Sequence, residues 1–125
     1  MPDQRFPYKF DHSWNALFFS LGVSKDDGVQ LTADGRLVAT FGRWRVETPL
    51  DNIASTEIDG PHQWFMAVGL RLAFTNDGLT FGTNHRRGVS IRFHERIPKV
   101  FGFRDHSMLW VSVEDCAGLA AAIGK

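Results

Sequence analysis

The side chains best suited to chemistry gather between residues 85 and 106. Arg86, Arg87, Arg92, Arg96, Lys99 and Arg104 lie there against only Glu95 and Asp105, with His85, His94 and His106 interspersed. Arginine presents a planar fork of donors that matches carboxylates and phosphates. Arg92 and His94 alternate with Val89, Ile91 and Phe93, so a strand would place them on one face. With the Arg86-Arg87 stretch beside them they would form an anion site. The plainer reading is a solvated outer face, because the exposed side of an antiparallel sheet is normally polar. A second basic pair stands at Arg43 and Arg45, either side of Trp44.

Other chemistries find less support. The five histidines show no close helical metal spacing and no HExxH pattern, so no metal site and no cofactor is expected. Ser90, Ser107, Ser112 and Cys116 are available nucleophiles, but none sits in a recognisable catalytic context. Asp26-Asp27 reads as turn chemistry and Glu114-Asp115 as helix capping, not as a tuned acid–base pair. Enzyme activity is therefore not expected. The segment from His62 to Gly69 is apolar where a connection should be polar. Trp64 and Phe65 within it either fold onto the core or form an exposed docking patch.

The elements that must position these groups are mostly strands. Short runs of period-two alternation are separated by turn residues, the signature of an all-β sandwich or barrel. Phe6, Tyr8 and Phe10 mark a first strand, placed at an edge by Pro7. Residues 14–23 fit either a strand or a short buried helix. Val29–Thr32, Arg36–Phe41, Trp44–Thr48 and Ile53–Asp59 read as a meander of four strands. Leu37, Ala39 and Phe41 share a face, and Ala33-Asp34-Gly35 supplies a hairpin turn. Leu70–Phe74 and Leu79–Thr83 form a hairpin around Asn76-Asp77-Gly78. Gly88–Glu95 and Met108–Val113 are the last strands, with a longer loop at 96–107. Asp115 then caps a helix whose apolar stripe is Cys116, Leu119, Ala120 and Ile123.

This order resembles the bacterial pleckstrin-homology-like (PH-like) domains. The likeness is carried by Leu31-Thr32-Ala33-Asp34-Gly35-Arg36-Leu37, by Phe41-Gly42-Arg43-Trp44-Arg45-Val46 and by Pro49-Leu50 followed by Ile53. It is carried again by Leu109–Asp115 leading into Gly118–Ile123. It covers roughly residues 29–123 and extends to small uncharacterised bacterial proteins, so it implies a fold more than a function. The implied fold is mainly β: a barrel of two roughly orthogonal antiparallel sheets, seven to nine strands in all, capped by one short C-terminal helix. Residues 1–125 would form one domain, with 1–28 as an N-terminal extension carrying an edge strand and 29–123 as the core. The basic motif with which phosphoinositide-binding relatives line their first hairpin is absent here, where Asp34 occupies the tip. Lipid headgroup binding is therefore not carried over.

Composition bounds the rest. At 125 residues and zero formal charge, the chain is the size of one domain and lacks the basic excess of a nucleic-acid binder. That neutrality hides an asymmetry: residues 1–60 carry a net −3 and residues 61–125 a net +3. One cysteine excludes an intrachain disulfide. With no signal-peptide pattern and no spanning segment, a cytoplasmic setting is the expectation. The expected function is a non-catalytic binding or interaction module for a protein or small-molecule partner. Its candidate contacts are Arg43, Arg45, Trp64, Phe65, His85, Arg86, Arg87, Arg92, His94 and His106. The alternative is a small barrel holding an apolar or anionic ligand among the sixteen aromatics. Peripheral membrane contact and a homodimer through an edge strand or Trp64-Phe65 stay open.

Overall fold

The computed structural model describes residues 4–10, 19, 22–24, 26–59, 69–72, 79–82, 87–98 and 105–124. Within them the protein is mainly β, with two sheets and a C-terminal helix. The first sheet has the order β1-β2-β3-β4, from Gln4–Pro7, Gly28–Leu31, Arg36–Phe41 and Trp44–Pro49. The second has the order β5-β8-β9-β7-β6, from Ile53–Asp59, Gly88–Ile97, His106–Val111, Leu79–Gly82 and Gly69–Leu72.

Local chemistry explains the first sheet. In the β2–β3 turn the Thr32 hydroxyl accepts from the Arg36 amide at 3.1 Å and donates to the Asp34 carboxylate. The amide of Gly35, at φ 84°, donates to the Thr32 carbonyl at 3.1 Å. This left-handed position strains any residue with a β-carbon. Gly42, at φ 60°, begins the two-residue loop between Phe41 and Trp44, which face each other across the hairpin. Pairing is then regular across all four strands. Leu37, Ala39 and Phe41 point into the core, as do Val29, Leu31 and Val46.

The fourth strand of the expected meander does not join this sheet. After Pro49 a 3-10 turn at Leu50–Asn52 redirects the chain, and β5 pairs with β8. A second difference concerns strand direction. β7 and β9 run parallel, with Leu79, Thr80 and Phe81 opposite Leu109, Trp110 and Val111. The cause is topological. β8 returns beside β5, and β9 enters the gap between β8 and β7, so the sheet is not purely antiparallel. The turn at 73–78 lies outside the described residues.

The sheets share one core. The Phe41 ring stacks on Phe81 of the other sheet, with centroids 5.3 Å apart and planes 10° from parallel. Tyr8 meets Phe41 edge-on at 5.9 Å, and its hydroxyl donates to the Thr40 carbonyl at 2.7 Å. Burial and, to a lesser extent, the Asp27 carboxylate raise this phenol well above its usual pKa. Tyr8 also pairs with Val113, and Lys9 donates to the Ser112 carbonyl at 2.9 Å, so the chain beyond β1 bonds to the chain beyond β9.

The helix α1 spans Cys116–Ile123. The Asp115 carboxylate accepts from the Gly118 amide at 2.9 Å, and Gly124 ends the helix in the left-handed conformation. Cys116, Leu119 and Ile123 are buried, and the helix packs on β5 and β8. Among the described residues no helix is long and apolar enough to cross a membrane.

Candidate functional site

Strand β8 carries Arg92, His94 and Arg96 of the basic region. Val89, Ile91 and Phe93 are buried and Arg92 and His94 are exposed on the opposite face, as expected, but Ser90, expected on that polar face, is buried opposite Trp110. The regular pattern then stops. Arg92 pairs with Met108 and Ile97 with His106, so four residues of β8, from Phe93 to Arg96, span the place of Ser107 alone in β9. An insertion of this kind bends a strand and re-aims its side chains. His94, Glu95 and Arg96 are consecutively exposed as a result.

A side chain from the 3-10 turn between the sheets holds this excursion. Asn52 accepts from the Glu95 amide at 2.8 Å and donates to the Glu95 carbonyl at 3.0 Å. Its amide also donates to the Thr48 hydroxyl at 3.1 Å, itself buried. A single side-chain amide thus replaces a strand neighbour at the point where β5 pairing shifts between Ile53 and Ser55. Backbone groups freed by a bulge need such partners.

The expected site residues fall into five groups. Arg92 and His94 share the exposed face of β8, with no ion pair to either among the described residues. Arg87 is exposed just before that strand. His106 is fully buried opposite Ile97, which separates it from the solvent-facing pair. Arg43 and Arg45 belong to the other sheet. Both are exposed, and Arg45 lies 3.5 Å from Glu47, which Arg36 also approaches at 3.5 Å. Because each sheet turns its apolar face to the shared core, Arg45 and Arg92 point away from one another. Trp64, Phe65, His85 and Arg86 lie outside the described residues.

Sequence reasoning missed Asn52, whose partner is 43 residues away, and it did not separate Arg96 from the rest of the basic stretch. It also missed the second aromatic environment. Trp110 is buried on the outer face of the second sheet, opposite Ser90, and a β-carbon on Gly88 would collide with its indole ring. Cys116 is buried and its thiol reaches the Val113 carbonyl at 3.4 Å, consistent with a small packing residue. Among the described residues no group of three or more His, Cys, Asp or Glu side chains is placed to hold a metal ion. Comparison with protein-family models, with curated proteins and with solved structures finds no match for this chain.

Proposed function

We propose that this chain is a non-catalytic binding module on a PH-like frame, and that it holds an anionic group of its partner at the β8 excursion. The observation that carries this reading is the run His94-Glu95-Arg96, pushed outward by the excursion and anchored from behind by Asn52. Arg92 precedes it on the same face as His94. Imidazole and guanidinium N–H donors can bind one anion together, and a preset backbone lowers the ordering cost of doing so. The frame fits PH-like architecture in its two facing sheets and terminal helix. It departs from that architecture in the parallel β7–β9 pair. Around Phe41 the aromatics of the two sheets stack on one another, which favours packing over ligand holding as their role.

The test is a titration of the full chain with inorganic phosphate, read by amide chemical shifts. Saturable shifts at residues 92–96, reduced by added salt and abolished in His94→Ala/Arg96→Ala, are the expected result. Shifts scattered over the surface, or unchanged in that variant, overturn the reading.

A further inference from the structure

The acidic half of the chain sorts its charges by position. In the first sheet Arg5, Gln30, Val38 and Glu47 pair in one row. Val29, Leu31, Leu37 and Val46 on either side of that row belong to the core, so the row lies on the outer face. Alternation along β3 and β4 places Arg36 and Arg45 there as well. Three arginines therefore share the outer face of the first sheet with one acid, Glu47. Arg43 is exposed in the turn beside Arg45, whereas Asp26, Asp34 and Asp51 lie in turns away from this cluster.

Two of these arginines are gathered around a single atom. Arg36 Nε and Arg45 Nη2 each lie 3.5 Å from Glu47 Oε1. Arg45 and Glu47 are exposed and Arg36 partly so. The terminal nitrogens of Arg36 and the Nε of Arg45 have no ion-pair partner among the described residues. Each guanidinium keeps its charge at any ordinary pH and offers five donors in a planar fork.

We propose that Arg36 and Arg45, with Arg43 beside them, bind an acidic segment of a partner protein in extended conformation, through carboxylates on alternate residues. This site goes beyond the β8 excursion and needs neither His94 nor Arg96, since Arg45 and Arg92 point away from one another. Alternate side chains of an extended chain stand about 7 Å apart. Two nitrogens each 3.5 Å from one oxygen can be no farther apart than that. The unshifted β3–β4 register fixes the strands that carry them. Glu47 is then a built-in competitor, because it already supplies one carboxylate to both arginines. Single-stranded nucleic acid fits this face less well. It needs exposed aromatics for base stacking, and Phe6, Phe41 and Trp44 of this sheet all turn to the core.

The experiment titrates the full chain with hexaglutamate, acetylated and amidated at its ends, and follows amide chemical shifts. Saturable shifts at Arg36, Arg43, Arg45 and Glu47 are expected, and they should weaken as salt is added. Arg36→Gln/Arg45→Gln should lower the affinity about tenfold or more, with the fold intact because both side chains meet only Glu47 in solvent. Glu47→Gln should raise it severalfold, by removing the competing carboxylate. His94→Ala/Arg96→Ala should keep the shifts at 36–47, which separates this result from the β8 site. Shifts confined to 92–96 or scattered over the surface overturn the proposal, as does an affinity that Glu47→Gln leaves unchanged or lowers. Hexathymidylate that moves the same amides at lower concentration than the peptide assigns the face to nucleic acid and overturns it too.

Discussion

The two sheets follow different rules. In the first, β2, β3 and β4 pair residue for residue through two short turns, and β1 adds to the edge without a shift. In the second, pairing shifts between Ile53 and Ser55 and again between Arg92 and Ile97, and one neighbouring pair is parallel. Two cations of the first sheet, Arg36 and Arg45, share Glu47. Arg92 and His94 of the second stand at the root and start of an irregular segment. Regular pairing buries an apolar face economically but gives every outward side chain the same spacing. An excursion costs ladder bonds and in return changes where side chains point. Irregularity supported by a dedicated partner such as Asn52 is thus the better guide to a binding surface than charge alone.

The largest effect tests whether the sheets are one unit. Phe41 touches both Tyr8 and Phe81, so Phe41→Ala removes the ring that joins the sheets. Loss of about 3–5 kcal/mol is expected, a large part of the total for a domain of this size. Hydrogen exchange in denaturant should show both sheets losing protection in one transition. Protection that persists in either sheet alone would mean that the two are independent.

Asn52→Ala addresses the irregular sheet by itself. It leaves the Glu95 amide and carbonyl and the buried Thr48 hydroxyl without their partner. The expected loss is about 1–2 kcal/mol, since water can reach the exposed Glu95. Exchange at Glu95 should accelerate while Leu37 and Val46 in the first sheet keep their protection. Phosphate affinity should fall as well, without any charge having been removed. An unchanged Glu95 amide would show that the excursion is held by other contacts.

The same contrast explains what can be read from sequence. The turn at Thr32–Gly35 and the cap at Asp115 are closed by residues three or four apart, so their chemistry is visible in a short window. Strand limits follow: Arg36–Phe41 and Ile53–Asp59 are placed as alternation and turn signals indicate. The sheet that Ile53–Asp59 joins is not legible. Alternation identifies a buried face but not the neighbour across it, and the meander pattern favours β4 as the partner. Asn52 looks like turn chemistry because an Asn after Pro-Leu-Asp carries no mark of a distant bond. His106 illustrates the opposite limit. Its type suggests solvent chemistry, yet it is fully buried. Burial depends on the layer above a strand, which no local period encodes.

Tyr8 offers the finest test, because it lies where the regular sheet meets the chain that follows β9. Its phenol is buried, donates to the Thr40 carbonyl and ionises well above its usual value, first through desolvation and second through Asp27. An unfolded tyrosine loses its proton near pH 10, whereas the folded one keeps it. Above that pH the folded state binds more protons, so stability falls as pH rises from the ordinary value toward the raised one. Tyr8→Phe removes one hydrogen bond and should cost about 1 kcal/mol at neutral pH. It should also flatten the alkaline decline, because no phenol remains to be desolvated there. Urea midpoints measured from neutral to alkaline pH would therefore draw together for the two proteins. Parallel curves would mean that the alkaline limb arises elsewhere, and that the Tyr8 junction is no more sensitive to ionisation than either sheet.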